Sequence, residues 1–325
     1  MKRALLWVVA LALVAGCRAP RPLATATPQP TPTRPPTATP VPGARETPAP
    51  TPTSTPLPVA ASDLNILLLG SDHRIEAEPT WRTDTIILVA IRPRARLVAM
   101  LSIPRDLWVE IPGYGYERIN VADYLGEKAN GRGGGPALVA QTLRQNLGLM
   151  VDASARINFD GLGEIIDTLG GISITSDRAY DEWFWDEEAQ GGVSHMRVVT
   201  GTQRMDGRLA LMYARARHGT SDFDRSRRQQ QILLAVRDAA LRPEILPRLP
   251  ALLRQLSDTV DTDLRPGQVL SLAGLALRLG PGSYRGRVFD ATMVRDWTTP
   301  AGAMVLLPDR ARIEEVWAEM TGAGS

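Results

Sequence analysis

Cysteine is almost absent from this chain of 325 residues: Cys17 stands alone. A single cysteine excludes an intrachain disulfide, so stability must come from an ordinary core. Histidine is nearly as scarce, and His73, His195 and His218 show no metal-ligand spacing, which excludes a histidine-built zinc site. No serine–histidine or cysteine–histidine pair offers a conventional nucleophilic engine. Aromatic residues make up 5% of the chain, and no basic run is interleaved with them, so nucleic acid is a poor partner. The formal net charge of +2 selects no partner by itself. The amino-terminal apolar stretch, Ala4 to Ala15, is too short to span a bilayer.

That stretch follows Lys2 and Arg3 and has the charge and length of a signal peptide. It ends in Val14-Ala15-Gly16-Cys17, which looks like a bacterial lipobox, so residues 1–16 read as a lipoprotein signal and Cys17 as the lipidated residue. Residues 17–60 then form a linker rich in Pro, Thr and Ala, with 14 of the chain's 26 prolines between 18 and 60. Proline fixes φ and removes a backbone donor, so the tract favours extended polyproline II over helix or central sheet. At roughly 3.1 Å per residue, some forty residues reach on the order of 100 Å. Residues 61–325 are globular in composition and long enough for a sizeable core.

Within that globular part, charge abuts the ends of apolar runs. Asn65 to Leu69 reads as a buried strand, with Asp72 and Arg74 just past its carboxyl end. Arg82 and Asp84 precede the run Thr85 to Ile91, and Arg105 and Asp106 follow Leu97 to Ile103. Further along lie Arg215, Arg217, Asp222, Asp224 and Arg225. Guanidinium forks match phosphate oxygens, carboxylates hold the hard cations that phosphates carry, and open α/β sheets build sites at strand ends. The pattern points to a phosphate-handling site.

The motifs resemble those of the LytR-CpsA-Psr cell-wall family. They run in order as Gly70-Ser71-Asp72, Arg82-Thr83-Asp84-Thr85, Ser102-Ile103-Pro104-Arg105-Asp106, Ile119-Asn120-Val121-Ala122, Tyr213-Ala214-Arg215-Ala216-Arg217, then Asp222-Phe223-Asp224-Arg225 and Arg228-Gln229. Asn158-Phe159-Asp160-Gly161 and Ile165-Ile166-Asp167-Thr168-Leu169-Gly170-Gly171 belong to the same set. The resemblance implies an α/β/α fold with a mixed central sheet flanked by helices. It makes residues 61–325 a catalytic domain with a motif core at 64–240 and a helical part at 241–325. It implies transfer of a phosphorylated glycopolymer from a polyprenyl-pyrophosphate carrier to peptidoglycan, outside the membrane. Asp72 and Asp84 would hold Mg²⁺ or Mn²⁺, and Arg74, Arg82, Arg105, Arg215, Arg217 and Arg225 would bind pyrophosphate. Arg105 and Arg217 would also stabilise the transition state, and the base is Asp106 or Asp222. Many relatives carry a transmembrane helix where this chain has a lipobox. A polyprenyl-pyrophosphate pyrophosphatase and a non-catalytic polyprenyl-phosphate-binding lipoprotein fit the same residues.

Helices are expected at Pro136–Leu147, Gly161–Leu169 capped by Asp160, Gly207–Arg215 after Asp206, Phe223–Leu241, Ile245–Leu256, Gly267–Leu279 and from Ala311. Short strands are expected at Val109–Ile111, Ala155–Phe159, Ile172–Thr175 and Met304–Leu307. Gly131 to Gly135 lacks the P-loop ending and reads as a flexible connection. Ser221-x-x-Asp224 is a capping box, which gives Asp224 a structural role, and the family pattern usually has glycine there. Arg225 falls in the first turn of that helix, where a cation opposes the dipole unless an anion also sits there. Trp183, Phe184 and Trp185 stack on sugar, touch a membrane interface or cover a local core.

Overall fold

The three long apolar runs are β1 (Leu64–Ser71), β2 (Thr83–Arg92) and β3 (Leu97–Ile103), paired antiparallel in that order. The computed structural model describes residues 62–71, 81–185, 192–216 and 221–322. β2 and β3 are covered on both faces, which is why they read as continuous apolar runs without alternation. After β3 the chain forms the hairpin β4 (Trp108–Ile111) and β5 (Gly115–Arg118), then helices α1 (Ala122–Asn130) and α2 (Gly134–Leu147). β6 (Ala153–Asn158), α3 (Phe159–Thr168) and β7 (Ile172–Ser176) follow. Next come β8 (Tyr180–Trp185), β9 (Val193–Val198), β10 (Gly201–Met205), α4 (Gly207–Arg215) and α5 (Asp222–Ala240). The remainder is α6 (Leu249–Thr259), β11 (Val260–Thr262), α7 (Pro266–Ala276), β12 (Tyr284–Val288), β13 (Val294–Thr298), β14 (Met304–Pro308) and α8 (Arg310–Thr321).

The central sheet has the order β11-β6-β1-β2-β3-β12, with β1/β6 and β3/β12 parallel and the other neighbours antiparallel. Alternate residues of β2 serve opposite cores. Ile86 and Leu88 join Val139 and Leu143 of α2 and Ile313 and Val316 of α8. Ile87, Val89 and Ile91 face Leu275 of α7 and the partly buried Leu233 and Leu234 of α5. This is the expected mixed sheet between helical layers. Each fully buried aliphatic side chain contributes about 1.5–3 kcal/mol, so the two-sided burial of β2 and β3 dominates local stability. A third cluster, including Ile165, Tyr213, Ile232 and Leu249, ties α3, α4, α5 and α6 together beside the sheet.

The part from 241 on is not simply helical, since it carries β11 to β14 and supplies both outer strands of the central sheet, and three local expectations also need correction. The glycine run at 131–135 is a connection only in its first part: residues 131–133 join α1 to α2, but α2 already starts at Gly134, and Gly134 lies so close to Gly126 of α1 that a Cβ would stand 2.4 Å from the Gly126 carbonyl oxygen. Glycine here permits backbone-to-backbone packing of two helices. The cap of α3 is Asn158, whose side chain accepts from the Gly161 amide, because the helix begins two residues earlier than an Asp160 cap would allow. α1 itself was not expected, since its short sequence contains Gly126 and little apolar periodicity. The capping boxes and caps at Ser221 and Asp206 are as the sequence implies.

Candidate functional site

Strand direction gathers the motif residues at one end of the sheet. Ser71 at the end of β1 pairs with Thr83 at the start of β2 and with Asn158 at the end of β6. Ile103 at the end of β3 pairs with Ile86, so Arg105 lies beside the start of β2. Gly70 is required there, because a Cβ on it would meet the Thr85 Cβ at 2.8 Å. Helix α5 begins at the same end: the Arg225 guanidinium donates from Nη2 to the Asp84 carbonyl oxygen at 3.4 Å.

An alternating chain of charge runs through this end. Arg105 Nη1 donates to Asp84 Oδ1 at 2.9 Å. Its Nε lies 3.4 Å from Asp106 Oδ2, and Asp106 Oδ1 lies 3.1 Å from Arg118 Nε. Arg225 Nη1 is 3.5 Å from Asp222 Oδ1. Burial pulls the Arg105 guanidinium down, but the Asp84 hydrogen bond and charge, together with Asp106 and Asp222, outweigh it and leave Arg105 raised. The fork is therefore permanently cationic. Arg225 is only 6% exposed, so the structure buries it more deeply than the ligand-facing position expected from sequence. Asp224 accepts from the Ser221 amide at 3.0 Å and pairs with Arg227, which bears out its structural role.

The remaining arginines divide. Arg82 immediately precedes β2 and is exposed at the same end. Arg215, the last residue of α4, sits over the Phe159 ring at 4.7 Å, next to the end of β6. Asp72, Arg74, Arg217 and Cys17 lie outside the described residues. The structure thus brings together Asp84, Arg105, Asp106, Asp222 and Arg225, with Arg82 and Arg215 at the same edge of the sheet.

Two supporting sets had no role in the sequence reading. Arg228, 3% exposed, donates from Nε to the Tyr213 carbonyl at 2.9 Å, from Nη1 to the Tyr180 hydroxyl at 3.1 Å, and also to the Ala216 carbonyl. It ties the carboxyl end of α4 to α5 and so fixes the direction of Arg215. The second set surrounds Asp123, which is fully buried and accepts from Trp81 Nε1, Thr83 Oγ1 and Arg156 Nη1, each at 3.0 Å. Arg156 also binds Glu127 and Asp261 at 3.0 Å. Burial alone would lower the Arg156 guanidinium, and Glu127 and Asp123 outweigh it and leave it raised. The network fastens the segment Trp81–Thr83, and with it Arg82, onto α1 and β6. The motif Arg228-Gln229 and the buried polar start of Ile119-Asn120-Val121-Ala122-Asp123 were the available signals.

Hard carboxylate oxygens suit Mg²⁺, which binds through one or two carboxylates plus substrate phosphates. Asp84 supplies one such carboxylate at the arginine cluster, with a side chain 23% exposed. Among the described residues no group of three or more His, Cys, Asp or Glu forms an all-protein cage. The donor set fits a metal shared with a phosphorylated substrate. On the α5 side of the sheet an apolar cavity of about 200 Å³ runs between Val89, Val98, Met100, Leu234 and Leu272. Because α5 starts at the arginines and its Leu234 lines this cavity, one helix spans a charged end and an apolar trough.

The sequence model of the LytR_cpsA_psr family matches residues 44–321. A polyisoprenyl-teichoic acid–peptidoglycan teichoic acid transferase, TagU of Oceanobacillus iheyensis, is 34% identical over 203 residues, covering 62% of this chain and 59% of that protein. The corresponding transferase TagT of Bacillus subtilis is 32% identical over 203 residues, covering 61% of this chain and 57% of that protein. The matched segment therefore spans less than two thirds of the length of these relatives. The solved structure of TagT with bound octaprenyl pyrophosphate lipid superposes with a TM-score of 0.57 at 24% identity, over 81% of this chain and 90% of that one.

Proposed function

We propose that this chain, which belongs to the LytR-CpsA-Psr family, transfers a phosphorylated glycopolymer from a polyprenyl-pyrophosphate carrier to peptidoglycan. The observation that carries the reading is the placement of Arg105, Arg225 and Asp84 at one sheet end, where α5 begins, with an apolar cavity lined by Leu233 and Leu234 further along the same helix. A pyrophosphate attached to an isoprenoid has the same two halves, and the relatives named above act on or bind such lipids.

The chemistry follows from the charges. Arg105 and Arg225 bind phosphate oxygens in their forks, Arg82 and Arg215 add charge at the rim, and Arg74 and Arg217 follow β1 and α4 in sequence. A hydroxyl of the peptidoglycan glycan attacks the phosphorus that bears the glycopolymer. An O–P bond forms, the pyrophosphate bridge breaks, and polyprenyl phosphate departs with the electron pair. Phosphoryl transfer needs positioning and charge neutralisation more than a strong nucleophile, which suits a site with no nucleophilic Ser, Cys or His machinery. Mg²⁺ or Mn²⁺ held by Asp84 and Asp72 supplies further neutralisation of the phosphates when bound.

Of the two candidate bases, Asp222 is the better placed. Both oxygens of Asp106 face guanidinium groups, so that carboxylate serves to hold Arg105 and Arg118. The Asp222 side chain is 43% exposed and has one longer contact, to Arg225. It can receive the acceptor proton. Cys17 would anchor the protein through its lipid to the outer face of the membrane, and the linker would set the domain's reach.

Native mass spectrometry of the protein extracted from membranes tests the donor half. A bound isoprenoid phosphate or pyrophosphate, displaced by added geranylgeranyl pyrophosphate, is expected. Absence of any such lipid, with no uptake of the added one, contradicts it.

A further inference from the structure

The hairpin of β13 and β14 stands against the outer end of the arginine cluster. It is pinned there twice: the Leu306 amide donates to the Asp106 carbonyl at 3.1 Å, and Arg118 Nη2 donates to the Met304 carbonyl at 2.9 Å. Asp106 and Arg118 are the two residues that continue the ion-pair chain outward from Arg105. The hairpin is thus held in fixed register with the phosphate site.

Between hairpin and site lies a cavity of about 470 Å³, lined by Asp106, Asp222, Asp296, Trp297 and Met304 among others. Trp297 is 38% exposed and Met304 77% exposed. Trp108 packs against the Trp297 ring, with centroids 6.3 Å apart and planes at 58°, so the indole is braced in an exposed position. Exposed large apolar side chains gathered at a cavity mark an interaction site. The lining contains three carboxylates and no Lys or Arg. Asp106 and Asp222 are already paired with arginines, so the cavity offers an anionic glycopolymer no free cation of its own and suits a neutral, hydroxyl-rich ligand: carboxylates accept from hydroxyls, while an indole face covers the apolar C–H face of a sugar ring.

We infer that this cavity is the acceptor subsite, in which Trp297 stacks on a sugar of the peptidoglycan glycan and presents its hydroxyl to Asp222. The inference rests on the transferase reading for its meaning, but not for its test. Donor and acceptor then enter from opposite sides of Asp106 and Asp222, sorted by charge. Trp108 is a positioning residue, acting through Trp297.

The test is direct binding of a peptidoglycan tetrasaccharide without stem peptides, followed by tryptophan fluorescence and by ligand-detected NMR, alongside binding of geranylgeranyl pyrophosphate to the same samples. Wild type is expected to bind the tetrasaccharide. Trp297→Ala should weaken that binding at least about tenfold, Trp297→Phe should restore it to within about threefold of wild type, and both should bind the pyrophosphate as wild type does. Thermal melts of both variants verify the fold. Unchanged tetrasaccharide binding in Trp297→Ala overturns the inference, as does a Phe variant as weak as the Ala variant or a wild type that binds no tetrasaccharide at millimolar concentration. If wild type ignores the pyrophosphate yet binds the sugar through Trp297, the subsite stands and the donor reading falls.

Discussion

Replacing Arg105 by lysine keeps the charge and removes the fork. In the structure that fork spans two carboxylates, Asp84 at 2.9 Å and Asp106 at 3.4 Å, with a side chain only 19% exposed. A single ammonium group can satisfy one of them. The lost contact is a partly buried, charge-assisted one, so Arg105→Lys should cost about 1–2 kcal/mol of stability, or about 2–6 °C in Tm. Ligand binding should suffer more. Loss of one bidentate phosphate contact removes at least about 1.4 kcal/mol, or about tenfold in Kd. Calorimetric titration with geranylgeranyl pyrophosphate, in parallel with melts, separates the two effects. The exposed Arg94, outside the motifs, serves as control. Equal affinity in wild type, Arg94→Lys and Arg105→Lys would refute a phosphate clamp at Arg105. Arg217→Lys and Arg225→Lys should weaken binding similarly, with a larger stability cost for the more deeply buried Arg225.

Asp84→Asn should weaken Mg²⁺ binding and cut transfer by orders of magnitude; full metal-dependent activity together with a large loss of stability would instead make Asp84 only the partner of Arg105. Asp123→Ala removes three hydrogen bonds from a fully buried carboxylate and strands one arm of Arg156, which keeps Glu127 and Asp261. Chemical denaturation should show a loss of about 3 kcal/mol, the low end for breaking a buried pair. At the cap of α5, Ser221→Ala should cost about 1 kcal/mol. Burial raises the Asp224 carboxyl, but bonds from Ser221 and Arg227 outweigh it and leave its pKa lowered. A depressed carboxylate stabilises above its unfolded value of about 4 and loses that contribution as pH falls. The Tm gap between wild type and Asp224→Asn should therefore shrink from pH 6 to pH 3, and a gap that widens would show the sign to be wrong. Cys17→Ala should abolish acylation and leave the precursor unprocessed by lipoprotein signal peptidase; normal acylation in that variant would remove the lipid anchor from the account.

The strands and their charged ends were legible because burial on both faces leaves unbroken apolar runs, and because each motif is local. Arg105 after Ile103 and Asp84 before Thr85 need only antiparallel pairing to meet. The supporting shell was not legible in the same way. Arg156 reaches Asp123, Glu127 and Asp261 through the register of β6 with β1 and β11, which no short segment encodes. Arg228 looks like one more charge on a polar helix face, and only the packing of α4 on α5 turns it inward. The glycines at 131–135 misled because glycine serves both loose connections and close helix contacts, and the choice depends on Gly126 opposite. Likewise the β13 and β14 hairpin meets the site only through its tertiary anchors on Asp106 and Arg118.

The central claim is transfer, and the mass of the acceptor decides it most directly. The protein is incubated with Mg²⁺, a polyprenyl-pyrophosphate-linked glycopolymer and peptidoglycan glycan chains, and the chains are then analysed by mass spectrometry with phosphorus NMR. The account predicts acceptor chains heavier by the phosphorylated glycopolymer, joined through a phosphodiester, with one polyprenyl phosphate released per chain modified. Release of polyprenyl phosphate with free phosphorylated glycopolymer and an unmodified acceptor would identify a pyrophosphatase, and intact lipid-linked donor held without turnover would identify a binding protein.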